Sequence, residues 1–133
     1  MSVTSLKNLL ATMKPSLNPG RYAFASVPED ARINPDLIVA SIREKEGQSI
    51  VLNEREAWRL DLPIAFVAAW ITLEVPSDLN AIGFTAEFAR ALADAEIGCN
   101  VIAGTHHDHI FVHYTLAERA LDVLRTLQST STY

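Results

Sequence analysis

The chain has 133 residues, 49% apolar and 20% charged, with a net charge of −5. That is the composition of an ordinary globular protein long enough to bury a real core. Lysine and arginine are scattered singly, so no basic stripe faces a phosphate backbone and nucleic-acid binding is not expected.

Leu6, Leu9, Leu10 and Met13 recur at helical spacing, and Pro15 stops that helix. Asn18-Pro19-Gly20 reads as a turn into a strand from Tyr22 to Val27. Pro28 to Pro35 is a polar connection. Leu37 to Arg43 and Ser49 to Leu52 are β-prone, and the charged run Glu44 to Gln48 between them signals a hairpin. Asn53-Glu54-Arg55-Glu56 starts a short helix with a carboxylate three residues after its cap. Ala57, Trp58 and Leu60 give it an apolar side, and Pro63 ends it.

In the second half, Phe66 to Val75 reads as a strongly apolar strand that serves both halves. Ser77-Asp78 caps a helix predicted from Leu79 to Ile97. Its inner face carries Ile82, Ala86, Ala89 and Ala93, flanked by Phe88 and Leu92, and its outer face carries Glu87, Arg90 and Asp94. Gly98 stands where a left-handed helix end is wanted. Cys99 to Ala103 and Ile110 to Tyr114 are strands joined by a histidine-rich turn. Thr115-Leu116-Ala117-Glu118 reads as a capping box for a helix burying Leu116, Ala120, Leu121, Leu124 and Leu127. The tail from Ser129 to Tyr133 has no periodicity and is expected to fray.

The order is thus α-β-ββ-α followed by β-α-ββ-α, one plan written twice. Helices alternating with antiparallel hairpins imply an α+β fold of two ferredoxin-like subdomains packed as one unit. The boundaries are placed at 1–64 and 65–133. The first subdomain is degenerate, because Pro28 to Asp36 is too short for a helix between its first two strands.

Cys99, the one cysteine, cannot form an intrachain disulfide and reads as a small buried side chain. Met1 to Lys7 lack the ordered charged and apolar regions of a signal peptide. The longest apolar run, Leu62 to Leu73, is too short to cross a bilayer as a helix and contains Pro63. A cytoplasmic protein is expected.

All four histidines, His106, His107, His109 and His113, lie in one stretch. On a strand, His107 and His109 would share a face. His106, Asp108 and His109 also partly resemble the His-x-His-x-Asp-His motif of binuclear metallohydrolases. Gly104 stands where that motif's first histidine belongs, and no histidine remains elsewhere to complete a coordination sphere. His113 lies roughly 13 Å beyond His109 along an extended strand. Three readings stay open: a polar hairpin, a ligand-contacting or pH-sensitive turn, and a metal-dependent hydrolase. No Gly-x-Ser-x-Gly elbow or phosphate-cradling glycine loop appears, so no catalytic residue, metal ligand or cofactor is assigned. The segment Pro76 to Phe84 joins a strand to a helix N-terminus, whose free N–H groups suit a carboxylate. Asp78 and Asn80 could hold an ammonium or amide. In the plainer reading, Ser77 or Asp78 caps the helix and Gly83 is a packing glycine.

The chain resembles a small family of bacterial ACT-like domain proteins. The resemblance is carried by Leu9-Leu-Ala-Thr-Met-Lys-Pro15, Pro19-Gly-Arg-Tyr-Ala-Phe24, Glu44-Lys-Glu-Gly47, Ser77-Asp-Leu-Asn-Ala-Ile-Gly-Phe-Thr-Ala86, Cys99-Asn-Val-Ile-Ala103 and His107-Asp-His-Ile-Phe-Val112. These stretches cover nearly the whole chain in order, and the histidines belong to the pattern itself. The resemblance implies tandem βαββαβ modules that bind amino acids or other small metabolites and regulate enzymes such as aspartokinase and phosphoglycerate dehydrogenase. It implies a ligand site at the first strand-to-helix loop, here Ser77, Asp78, Leu79, Asn80, Ile82, Gly83 and Phe84. A facing strand starts at Asn100 and Val101. The expected function is a non-enzymatic, small-ligand regulatory module, with an amino acid as favoured ligand and a homodimer or higher homo-oligomer as its assembly. The alternative is a structural interaction module that pairs through sheet edges without a ligand.

Overall fold

The computed structural model describes residues 5–76 and 78–131. Its elements in chain order are α1 (Leu6–Thr12), β1 (Pro15–Val27), β2 (Ile38–Glu44), β3 (Gly47–Asn53), α2 (Glu54–Arg59), β4 (Ile64–Leu73), α3 (Phe84–Asp94), β5 (Asn100–Ala103), β6 (Asp108–His113) and α4 (Ala117–Thr130). Short 3-10 turns stand at Pro35–Leu37 and Tyr114–Leu116. The strands hydrogen-bond as one six-stranded sheet in the order β2-β3-β1-β4-β6-β5. The fold is α+β, and the doubled order of elements agrees with the sequence pattern. The chain divides into two compact units, one of Met1–Asn18 with Trp70–Tyr133 and one of Pro19–Ala69.

In the Pro19–Ala69 unit, β3 pairs antiparallel with both β1 and β2. The β2–β3 hairpin closes between Glu44 and Gly47, as the charged turn predicts. Its core joins Ala23, Ala25, Ile50, Leu52, Ala57 and Leu62. Alanines at 23, 25 and 57 leave room for the six-residue helix α2 to lie close to the strands. The Asn53 carboxamide oxygen caps that helix by accepting from the Arg55 N–H at 2.9 Å. Trp58 does not join the apolar side of α2: it is 70% exposed. Leu62 and the alanines fill the space beneath the helix, and the indole N–H instead turns back to Glu54 at 3.4 Å.

In the other unit, α1, α3 and α4 pack on one another. Beneath them lie Leu9, Met13, Ile71, Leu73, Phe88, Ile110, Val112 and Leu124, all fully buried. Removing a side chain such as Phe88 from water contributes about 1.5–3 kcal/mol. Helix α3 differs from the sequence expectation in extent and in face. It starts at Phe84, not near Leu79, and buries Phe84, Phe88 and Leu92. Ala86 and Ala93 face solvent, and Ile82 precedes the helix, 91% exposed. Both stripes fit a 3.6-residue period, and the one with larger side chains gains more from burial.

Three local expectations also change. Asn18-Pro19-Gly20 does not break the chain, and β1 runs through it. Beside Pro19, which has no N–H, the Asn18 side-chain amide donates to the Trp70 carbonyl at 3.2 Å and keeps β1 bonded to β4 there. At the end of α3 the left-handed residue is Glu96 (φ 62), two positions before Gly98. Glu96 N–H reaches the Ala93 carbonyl at 2.9 Å and Ile97 N–H reaches Leu92 at 2.9 Å, so burial of Ile97 fixes the turn there. Before α4, Thr115 is not the cap. The His113 ring accepts from the Thr115 N–H at 3.3 Å, heading the 3-10 turn that leads into the helix.

Candidate ligand site

The loop from β4 to α3 carries most of the residues singled out in the sequence. Asp78 Oδ1 accepts from the Asn80 N–H at 2.8 Å, a local turn rather than a helix cap. Ser77 lies outside the described residues. Leu79 and Ile82 are 65% and 91% exposed, while Phe84 is buried against Phe88 with ring centroids 5.2 Å apart. Gly83 is the N-cap of α3, with φ 95 and no side chain to bond the first N–H groups. That backbone conformation strains any L side chain, and a Cβ there would stand 3.2 Å from the Leu6 side chain of α1. Gly83 therefore both turns the loop and lets α1 approach, and it leaves the electropositive end of an eleven-residue helix without a side-chain cap.

Asn100 and Val101 open β5, with Asn100 exposed and Val101 half-buried, opposite Phe111 and Ile110 of β6. Among the described residues no hydrogen bond joins Asp78 or Asn80 to Asn100 or Val101. The loop and the strand are thus two separate sets of groups within one unit.

The four histidines go to different places. His106 is exposed. His107 Nδ1 lies 3.4 Å from the Val75 carbonyl, a long hydrogen bond that ties the β5–β6 turn to the start of the loop. His109 sits half-buried on β6, and His113 caps the 3-10 turn, stacked on Tyr114 with centroids 4.8 Å apart. His107 and His109 therefore do not present one shared face, because His107 lies in the turn rather than on the strand. Among the described residues no three His, Cys, Asp or Glu side chains converge to hold a metal ion.

His109 is the most constrained of the four. Its Nδ1 accepts from the Trp70 indole N–H at 3.0 Å and lies 3.2 Å from the Thr72 hydroxyl. Thr72 in turn accepts from the Asn18 amide at 2.9 Å. Trp70 stacks on Phe111 with centroids 6.0 Å apart and an interplanar angle of 20°. Burial, reinforced by neighbouring His107, pushes the His109 pKa below its usual value, against the opposing pull of Asp108 and Glu74. Burial likewise pushes the Cys99 thiol up to about 11.

Asn18, Trp70, Thr72 and Leu6 were not identifiable as parts of these arrangements from the sequence. Asn18 and Trp70 lie 52 positions apart, and each reads locally as a turn residue or a strand residue. A groove of about 540 Å3 lies in the Pro19–Ala69 unit beside the connection that stands in place of a helix, lined by Val27, Arg32, Ile33 and Ile38 among others.

A model of the ACT domain matches residues 1–69, and a second ACT domain model matches residues 66–126. A crystal structure of a Vibrio cholerae protein of unknown function is 40% identical, with 92% of this chain and 95% of that chain covered and a TM-score of 0.82. An Agrobacterium tumefaciens protein shares the fold at 19% identity, with 86% and 87% covered and a TM-score of 0.68. The regulatory subunit of aspartate kinase from Thermus flavus shares it at 9% identity, with 88% and 98% covered and a TM-score of 0.58. No curated protein matches. The doubled element order and these likenesses agree: the chain belongs to the ACT domain family and carries two ACT domains in tandem.

Proposed function

We propose that the protein is a non-catalytic regulatory module that binds a small metabolite, with an amino acid favoured. The supporting observation is the N-terminus of α3, where Gly83 provides no side-chain cap and the helix N–H groups remain available to a carboxylate. Asp78 and Asn80, on the same loop, carry the charge and amide suited to an α-ammonium group. Ser77, Leu79, Ile82 and Phe84 complete the loop side of the proposed site, and Asn100 and Val101 supply the facing strand. The fold shared with a regulatory subunit of aspartate kinase supports a regulatory role. A division near residue 64 and a cytoplasmic setting fit the same reading. No helix among the described residues is long and apolar enough to cross a membrane.

Isothermal titration of the twenty amino acids tests the proposal. One or a few should bind at up to millimolar concentration, and Asp78→Ala should weaken binding about tenfold or more while leaving the melting temperature of the free protein unchanged. Folded protein that gives neither heat nor thermal stabilisation with any of them refutes it.

The second reading is an interaction module that assembles with copies of itself. It is favoured by Leu79 and Ile82, large apolar side chains left in solvent at the loop tip. Light scattering that finds a tight dimer, disrupted by Ile82→Glu and indifferent to amino acids, would select it.

A further inference from the structure

The seat of His109 imposes one protonation state. The Trp70 indole N–H has no lone pair to offer, and it points at His109 Nδ1 from 3.0 Å. Because Nδ1 accepts from the indole, the Thr72 hydroxyl 3.2 Å away, itself an acceptor of the Asn18 amide, can bond that nitrogen only as a donor. Two donors converge on one nitrogen. The ring fits only as the neutral tautomer with its proton on Nε2. His107 differs in that its Nδ1 faces the Val75 carbonyl, which can only accept, so that nitrogen is the donor. On the far side of the His109 ring the chain closes tightly. A Cβ at Gly104 would lie 3.3 Å from His109 Nε2 and 2.9 Å from the His107 carbonyl.

The geometry points to His109 as a protonation switch that governs how the Gly104–His107 turn is held. A proton on Nδ1 sets an N–H against the Trp70 N–H, and the indole cannot reverse its polarity. The imidazolium must leave the seat, and the turn that closes on the ring by way of Gly104 must open with it. Because His107 in that turn reaches the Val75 carbonyl, opening also frees the start of the β4–α3 loop.

The charged and titratable groups facing His109 are His107 from the turn, Asp108 on β6 and Glu74 just past β4. From β1 the facing group is the neutral Asn18 amide by way of Thr72, and from β5 the residue opposite is Ile102. Burial and His107 favour the neutral ring, while Asp108 and Glu74 favour the cation, and the net direction is downward. The sign of the linkage follows. Above the ordinary histidine value of 6.5 the ring is neutral in folded and unfolded chains alike. As pH falls through that value toward the lower folded one, the unfolded chain takes up a proton that the folded chain refuses, and stability declines. The switch does not depend on whether the loop binds a ligand.

The test uses Trp58→Phe protein, so that emission comes from Trp70. Titration from neutral pH downward should change Trp70 emission with a midpoint below the ordinary histidine value of 6.5, while His109→Gln, which keeps an acceptor but cannot titrate, should abolish the change. Nitrogen NMR should find the neutral His109 ring protonated on Nε2. A transition that persists in His109→Gln, a ring protonated on Nδ1, or a His109 midpoint at or above 6.5 would each overturn the switch. Should His109→Gln fail to fold, Trp70→Phe decides by NMR. Removing the indole N–H should raise the His109 midpoint, and an unchanged midpoint refutes the proposal.

Discussion

The two compact units of the chain are built by very different means. The unit of Met1–Asn18 and Trp70–Tyr133 buries three helices' worth of large side chains, among them Phe84, Phe88, Leu92 and Leu124. The Pro19–Ala69 unit has one six-residue helix and a core in which three of six members are alanine. The difference traces to one connection. Between β1 and β2 the chain offers a short polar segment with two prolines, whereas between β4 and β5 it offers a full amphipathic helix. A strand pair can keep its pairing with little cover when the side chains above it are small enough for a short helix to sit low.

Substitutions sharpen that contrast. Phe88→Ala should cost about 3–5 kcal/mol, measured by urea unfolding, because it empties a fully buried site. Trp58→Ala, a larger deletion in the other unit, should cost less than about 0.5 kcal/mol, since that ring is 70% exposed. Equal costs would mean the two helices are equally load-sharing and would break the comparison. Cys99 gives a probe of the larger unit by itself. With its thiol pushed up from 9.0 to about 11, alkylation at pH 8 should run about a hundredfold slower in folded than in unfolded protein. Asn53→Ala should cost about 1 kcal/mol, between the Phe88 and Trp58 deletions, by removing the cap of α2. A much larger loss would show that this short helix holds its unit together after all.

Element order and pairing were legible because alternation, capping residues and the hairpin charges are local signals. Even the missing helix could be read, from the length of Pro28 to Asp36. The buried face of α3 was not, since two stripes share one period and only packing decides between Phe84-Phe88-Leu92 and the alanines. The loop residues Asp78, Asn80 and Gly83 could be located but not their roles: Asp78 spends a carboxylate oxygen on Asn80 within its own turn. The seat of His109 was least accessible, because its partners come from strands 37 and 39 positions away, and Thr72 and Trp70 carry no local mark of it.

Strand β2 ends the sheet order and has a hydrogen-bonding partner in β3 on one side, with Ile42 61% exposed along it. Such a margin invites open-ended stacking of copies. Here it runs directly into Arg43-Glu44-Lys45-Glu46, whose alternating charges act as gatekeepers against that growth. Their protection is electrostatic, so it weakens with added salt and with acid, and the chain's net repulsion vanishes near its pI of 5.3. Pairing of copies along this edge should therefore rise with added salt and as pH falls toward 5.3.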